Sequence, residues 1–217
     1  MPKLVDHDER RRQIARATWR VMTRDGVDAA SVRTVAAEAG LSTGALRHYF
    51  ADQASLLLFA ARHTVDRIAE RLEAQLADRD RPPVAVVQGC LEQLLPLDDE
   101  RRTETVVYFG LIDLTRLAPG HHDFRRWAFE ESRRLIRTLV YWLAGGPEPE
   151  PDLLRPTDTR GAPLADPVLE AEALGLQVLL DGLAVQGLLY PELMDAPTLR
   201  EVLRKGLDRI AGTRATP

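Results

Sequence analysis

Apolar side chains recur every three to four residues through most of the chain, which predicts helices rather than strands. The first such segment covers about residues 8–25, where Ile14, Ala17, Val21 and Met22 fall on one face and the arginines fall largely elsewhere. A helix with one apolar face packs that face against a core. The pattern therefore predicts an amphipathic first helix.

Serines and glycines mark the ends of the next two predicted helices. Ser31 and Ser42 stand at positions where a side-chain oxygen caps a helix start, and Gly26 and Gly40 follow helix ends. These signals place short helices at about 32–39 and 43–49.

The remaining periodic segments predict a longer helical body. Residue 52 caps a fourth helix that extends to about residue 78, and Pro82-Pro83 follow its end. The segment 145–167 has six prolines and no periodicity, which predicts a loop. Further helices are expected over about 83–95, 99–117, 121–143, 168–189 and 198–211. The predicted fold class is all-α, with about nine helices.

Composition narrows the class of protein. The single cysteine, Cys90, excludes an internal disulfide framework, and we expect it to be a buried apolar residue. No apolar run reaches membrane-spanning length, and the first residues lack the apolar stretch of a signal peptide. We therefore expect a cytoplasmic protein without a membrane partner.

Charge is distributed unevenly along the chain. Residues 1–50 carry nine Lys/Arg and six Asp/Glu, a net charge of +3, whereas residues 51–217 carry twenty and twenty-seven, a net charge of −7. A small basic head on a larger acidic body suggests two parts with different partners.

The second and third helices have the spacing of a helix-turn-helix. Ala36 permits a close helix crossing, Gly40 permits positive φ at the sharp turn, and Leu46 fills the seam. The other side of the third helix then presents small residues at its start, followed by Arg47 and His48. An arginine can bind guanine or phosphate. The alternative is that Arg47 and His48 lie on an ordinary solvated helix face. The helix-turn-helix spacing and the flanking residues disfavour this alternative.

The stretch VRTVAAEAGLSTGALRHYFADQASLL, residues 32–57, resembles the DNA-binding head of TetR-family transcriptional regulators. The resemblance covers about residues 8–58, and LLDGLAVQGLL at 179–189 is loosely similar to BetI-like members. It departs from the common pattern at Arg47, often aromatic in the family, and at Gln53, often lysine. The resemblance implies these DNA-facing residues: Ser31, Arg33, Ser42, Thr43, Gly44, Arg47, His48 and Tyr49.

The same resemblance implies a helix-turn-helix domain at 1–51 and a ligand-binding and dimerisation domain at 52–217. The segment 168–189 is apolar almost all round, so it needs two apolar neighbours, one of which a second subunit can supply. Small residues along it permit close approach of another helix, and burial within one subunit is the alternative. The expected interface residues are Ala171, Gly175, Gly182, Leu199, Val202 and Leu203.

Polar and aromatic residues on otherwise apolar body helices are candidates for contact with a small-molecule effector. These are Gln93, Tyr108, Phe109, Asp113, Trp127, Tyr141, Gln177 and Asp181. A largely apolar effector with a few polar groups would suit such a lining. No phosphate-binding glycine loop or paired-carboxylate constellation stands out, so we expect no enzyme activity, no cofactor and no metal.

The sequence thus predicts a homodimeric, ligand-responsive repressor of a palindromic operator. One alternative is a DNA-binding dimer that senses no ligand. The other is a helical-bundle enzyme or carrier with a vestigial head. The sequence lacks the di-metal Glu-x-x-His patterns, which counts against this second alternative.

Overall fold

The computed structural model describes residues 7–78, 80–117, 122–150 and 164–212. Across these residues the chain forms nine α-helices and no strand, which confirms the predicted all-α fold. The helices are α1 His7–Asp25, α2 Val32–Glu38, α3 Thr43–Tyr49, α4 Gln53–Leu76, α5 Pro83–Glu92, α6 Asp99–Leu117, α7 His122–Leu143, α8 Pro167–Leu189 and α9 Ala196–Gly212, with a short 3-10 turn at Val27–Ala29.

Helix ends lie close to their predicted positions, with one informative difference at α5. The sequence predicts this helix to about residue 95, but it ends at Glu92. Beyond it the amides of Gln93 and Leu94 donate to carbonyl oxygens three residues back. The chain tightens before Pro96 because the residue preceding a proline avoids the α conformation.

The chain divides into two compact units, one of residues 1–67 with 106–119 and one of residues 68–105 with 120–217. The first unit groups the start of α4 with α1, because Trp19 stacks on His63 with ring centroids 5.3 Å apart. The guanidinium carbon of Arg67 lies 5.2 Å from the same indole ring. The sequence-based boundary at residue 51 thus falls inside this unit, and the separate role of 52–217 stays a prediction.

The core of the first unit joins α1 to the helices that follow it. Ile14, Ala17, Val21 and Met22, the predicted inner face of α1, are all buried. Phe50 is buried as well, and its ring lies 5.0 Å from that of Phe59. Helix α2 packs on α1, and α3 packs on α2.

In the second unit α8 packs against α7 and α9, while α5 packs against α7 and α9. The inner positions of these helices are buried apolar residues, among them Leu91, Leu139, Leu176 and Leu207. Cys90 is buried here too, as predicted, and desolvation raises the pKa of its thiol to about 12. The described part of the loop predicted at 145–167 is irregular, and residues 151–163 lie outside the described residues.

Within the described residues, no helix is both long enough and apolar enough to cross a membrane.

Candidate functional site

The turn between α2 and α3 is built as the sequence predicts. Gly40 has φ of 68°, and its amide donates to the carbonyl of Ala37 at 3.2 Å. The amide of Leu41 donates to the carbonyl of Ala36 at 2.8 Å. This pair of hydrogen bonds is a Schellman motif, which needs a residue in the left-handed region at the glycine position. It sets the angle at which α3 leaves α2.

Helix α1 secures this turn from the other side. The side-chain amide of Gln13 donates to the carbonyl of Ala39 at 2.8 Å. Arg20 and Arg24 both bind the Glu38 carboxylate, at 2.6 and 3.0 Å. These two arginines are therefore held against α2, which reduces what they can offer to a phosphate backbone.

The predicted DNA-facing serines serve as helix caps. The Ser31 hydroxyl accepts from the amide of Thr34 at 3.2 Å, and the Ser42 hydroxyl accepts from the amide of Ala45 at 3.1 Å. Each cap orients the first turn of its helix, α2 or α3. A hydroxyl that accepts from an amide keeps a proton to donate, so capping and a phosphate contact are compatible.

The exposed side of α3 forms the recognition face, which we define as Thr43, Gly44, Arg47, His48 and Tyr49. Gly44, Arg47 and His48 are exposed, whereas Thr43 and Tyr49 are half-buried and Leu46 on the opposite side is fully buried. A Cβ built on Gly44 meets no atom within 4 Å, so the start of the helix is open.

Two exposed guanidinium groups, those of Arg47 on α3 and Arg33 on α2, lie at or near the recognition face. Within the described part of the chain no carboxylate pairs with Arg47. The His48 ring contacts that of Tyr49 edge-on at 6.0 Å. The recognition face therefore presents a guanidinium group beside an imidazole and a phenol ring. Proteins use such groups to hydrogen-bond to DNA bases and phosphates.

The body carries a second surface, on α8. Its exposed residues follow helical spacing and are mostly apolar, with Val178 64% exposed and Leu174 49% exposed. We call this the outward stripe of α8, comprising Val168, Ala171, Leu174, Gly175, Val178, Asp181, Gly182, Val185 and Leu189. A Cβ built on Gly175 or Gly182 meets nothing within 4 Å.

The predicted interface residues do not all lie on this surface. Ala171 and Gly175 are exposed on the stripe, and Gly182 is half-buried in it. Leu199 and Leu203 on α9 are instead buried in the core of the protomer, where Leu199 packs close to Gly187 of α8. Because they have no exposed surface to offer, these two are removed from the interface prediction. Val202 is half-buried on α9.

The candidate effector contacts are dispersed rather than gathered. Gln93 is buried and bonded to Arg71, which also binds Glu104 at 3.0 Å. Gln177 is buried beside Arg133, at 3.3 Å. Because both side-chain amides already bind arginines within the protein, they are weaker candidates for contact with an effector. Asp181 is exposed on the outward stripe, where desolvation raises the pKa of its carboxyl.

The aromatic candidates fall in both compact units. Tyr108 and Phe109 on α6 meet edge-on with centroids 5.3 Å apart, in the first unit. Tyr141 is exposed and Trp127 half-buried, both on α7 in the second unit. The side chain of Asp113 lies outside the described residues.

Sequence reasoning missed a polar cluster between α7 and α8. This Arg133 cluster comprises Arg133, Arg137, Glu170 and Gln177. Glu170 accepts from both arginines at 2.6 Å and from the amide of Leu164 at 3.1 Å. Hydrogen bonds from Arg137 first, and then from Leu164 and Arg133, lower the pKa of Glu170 to about 2. The sequence signal for this cluster was the close spacing of Arg133, Arg134 and Arg137 along a helix that also has an apolar face.

Comparison with known proteins gives the context for these surfaces. Residues 14–59 match the family model described as bacterial regulatory proteins of the tetR family. Residues 83–212 match the model of the BetI-type transcriptional repressor C-terminal domain. The chain is 36% identical over 210 residues to the transcriptional regulator PksA of Bacillus subtilis, covering 97% of this chain and 94% of PksA.

Two solved structures are similar over nearly the whole chain. A transcriptional regulator from Rhodococcus sp. Rha1 gives a TM-score of 0.75 at 25% identity, covering 95% of this chain and 99% of that one. A regulator from Saccharomonospora viridis, solved in complex with choline, gives a TM-score of 0.72 at 21% identity, covering 93% and 96%. The matching models and the named relative are transcriptional regulators, not enzymes.

Proposed function

Because the chain belongs to the TetR family of bacterial transcriptional regulators, we propose that it is a ligand-responsive repressor that binds a palindromic operator as a homodimer. The observation that carries the proposal is the recognition face. It presents the exposed Gly44, Arg47 and His48 on a helix whose start is fixed by the Ser42 cap and the Gly40 turn.

The outward stripe of α8 supports the homodimer. Monomeric proteins rarely expose a contiguous apolar patch of this kind, and a two-fold interface pairs one patch with its own copy. Small residues at Ala171, Gly175 and Gly182 allow two copies of α8 to approach closely. Dimerisation would then place two recognition helices one turn of DNA apart, about 34–36 Å, which requires a palindromic site.

The effector is proposed to be a small, largely apolar molecule with a few polar groups. The choline complex of the Saccharomonospora viridis regulator supports a small-molecule site in this fold. In this chain the remaining described candidates are Tyr108, Phe109, Trp127, Tyr141 and Asp181. Such a molecule lowers operator affinity only if it binds the DNA-free arrangement of the dimer more tightly.

The first experiment is selection of bound sequences from random duplex DNA, followed by a gel shift on the winning sequence. We expect enrichment of an inverted repeat and a shifted band that contains two protomers. Failure to enrich any sequence would refute operator recognition, and enrichment of a single half-site bound by one protomer would refute the palindromic dimer.

The second experiment is a thermal-shift screen with choline and other small apolar and cationic compounds, followed by operator titration in the presence of each hit. We expect a hit to raise the midpoint of unfolding and to weaken operator binding. If operator affinity is unchanged at saturating hit, ligand coupling fails. A DNA-binding dimer without ligand sensing would then be the better account.

A further inference from the structure

Asp181 interrupts the outward stripe of α8 with a single carboxylate. Leu174 and Val178 lie seven and three residues before it and Val185 lies four residues after it, so all four side chains share one face of the helix. Helix α8, Pro167–Leu189, contains no lysine, arginine or histidine. Among the described residues, the Asp181 carboxylate has neither an ion pair nor a hydrogen bond. The stripe thus carries one charge that its own helix does not neutralise.

The helices packed against α8 reserve no counter-charge for Asp181. Helices α7 and α9 pack on α8. Each basic residue of α7 and α9 whose side chain the structure describes already pairs with a carboxylate of the same protomer. These pairs are Arg126–Glu130, Arg133–Glu170, Arg134–Glu131, Arg137–Glu170, Arg200–Glu92, Arg204–Asp208, Lys205–Glu201 and Arg209–Glu172. Desolvation by its surroundings raises the pKa of Asp181 above the ordinary value of 3.8, so the protomer already disfavours the charged form.

The place of Asp181 along α8 puts it inside a contact between two copies of the stripe. Gly175 and Gly182 bracket Val178, and a Cβ at either glycine meets nothing within 4 Å. Two copies of α8 can therefore approach most closely near Val178. Asp181 follows Val178 by three residues, about 4.5 Å along the helix axis, so a two-fold axis brings both carboxylates into the contact rather than to its rim. Association then removes water from a charge without supplying a partner, which disfavours the ionised form.

We propose that Asp181 takes up a proton from solvent when two copies associate through the outward stripe, so that acidification tightens the homodimer. The carboxylate becomes a neutral carboxyl, which an apolar contact tolerates better than an ion. The inference rests on the proposed homodimer and adds its regulation by pH. It also assigns Asp181 to the dimer rather than to an effector.

The direction of the pH effect follows from the proton affinities of the two states. Because the dimer holds the proton more tightly than the protomer, the pKa of Asp181 is higher in the dimer. The added dimer stability is fully present below the pKa of the protomer and is lost as the pH rises through the pKa of the dimer. Between these two values the dissociation constant rises by up to about tenfold per pH unit for each copy, or about a hundredfold for the pair.

The test is sedimentation equilibrium of the full chain at several pH values from 8 to 5. Asp181→Asn keeps the shape of the side chain and removes its charge. Because Asp181 is exposed in the protomer, this substitution leaves the protomer fold intact. The matched control is Asp28→Asn, which removes an exposed carboxylate from the other compact unit.

We expect the native dimer to associate at least about tenfold more tightly at pH 5 than at pH 8. Asp181→Asn should dimerise more tightly than the native protein at pH 8, and its dissociation constant should change by less than about threefold over the same range. Asp28→Asn should follow the native curve.

Three results would overturn the inference. Weaker association of Asp181→Asn at pH 8 would show that the carboxylate pairs with a basic residue of the second copy. A pH dependence that persists in Asp181→Asn would assign the proton to another group, and a native dimer that does not respond to pH would show that no proton is taken up. A chain that stays monomeric at every pH, with Asp181→Asn as well, would instead refute the proposed homodimer and this inference with it.

Dilution calorimetry counts the protons directly. Heats of dissociation measured at one pH in buffers of different ionisation enthalpy give the number of protons released per dimer. We expect a net release from the native dimer that approaches about two protons, one from each copy, and almost none from Asp181→Asn. Equal release from the two proteins would overturn the inference.

Discussion

The guanidinium of Arg133 lies 2.6 Å from the carboxylate of Glu170, and this contact joins the middle of α7 to the first turn of α8. Arg137, one helical turn further along α7, binds the same carboxylate at 2.6 Å. Arg133 is 7% exposed, so its charge depends on Glu170 for compensation. Removing one partner of a largely buried ion pair leaves the other charge uncompensated.

We therefore expect Glu170→Gln to lower the free energy of unfolding at pH 7 by about 1–3 kcal/mol, a value below that of a fully buried pair because Glu170 is partly exposed. Urea unfolding followed by circular dichroism measures it. The control is Asp208→Asn, which breaks an exposed pair with Arg204. That variant should change stability by less than about 0.5 kcal/mol, and a similar loss in both variants would contradict the argument.

The same pair predicts a pH dependence. Folding lowers the pKa of Glu170 from its ordinary value of 4.5 to about 2. Its stabilisation is therefore fully present above pH 4.5 and is lost as the pH falls toward 2. The stability difference between the native protein and Glu170→Gln should be constant from pH 7 to 5 and should shrink below pH 4.5. A difference that grows on acidification would show that the sign is wrong.

Local sequence signals were sufficient to predict α2, α3 and the turn between them, but they were not sufficient to predict the Arg133 cluster. The Ser31 and Ser42 caps and the Gly40 turn depend on residues within a few positions, so the sequence predicts them directly. Burial of Arg133 depends on how α7 meets α8, and helical period alone assigns arginine to the solvated face. Likewise, helical period places Leu199 and Leu203 on one apolar face of α9, but only the packing of the helices shows that the protomer itself covers them.

The buried Cys90 should be unreactive in the folded protein. The thiolate is the nucleophile toward thiol reagents, and desolvation holds the pKa of Cys90 at about 12. We expect negligible modification by iodoacetamide at pH 8 and rapid modification in denaturant. The exposed control is Cys90→Ala/Gly212→Cys, with its thiol at the end of α9. Equal labelling rates for the two folded proteins would refute burial of the thiol.

Gly182→Arg should prevent dimerisation without disturbing the protomer. A side chain at residue 182 meets no protein atom at its first carbon, so the arginine has room within one protomer. In a dimer formed through the outward stripe it would place an unpaired charge in an apolar interface, which is strongly unfavourable. Analytical ultracentrifugation should show folded monomers.

Gly212→Arg is the matched control for this variant, because a Cβ at residue 212 also meets nothing within 4 Å. It carries the same substitution away from the stripe and should stay dimeric. A fully dimeric Gly182→Arg protein would remove Gly182 from the interface. Unfolding of Gly182→Arg, followed by circular dichroism, should match the native protomer at dilutions where both are monomeric.

Arg47 is the residue on the recognition face most suited to reading a base. It is exposed one turn after Thr43, and the open start of α3 at Gly44 lets the helix approach a groove. If Arg47 binds the O6 and N7 atoms of guanine, Arg47→Ala should cost about 1–3 kcal/mol per half-site and relax preference at one base pair. His48→Ala and Tyr49→Phe should weaken binding without changing base preference, since these side chains are expected to donate to phosphates.

The decisive measurement is a set of binding curves for Arg47→Ala on the selected operator and on its single-base variants at two salt concentrations. Base reading predicts that the variant loses most on the native operator and little on the operator already changed at the contacted base pair. A phosphate contact predicts an equal loss on every sequence and a salt slope smaller by about one per contact. Because His48 and Tyr49 already offer phosphate donors, we expect the first result. An equal loss on all sequences would leave Thr43 as the candidate for direct readout.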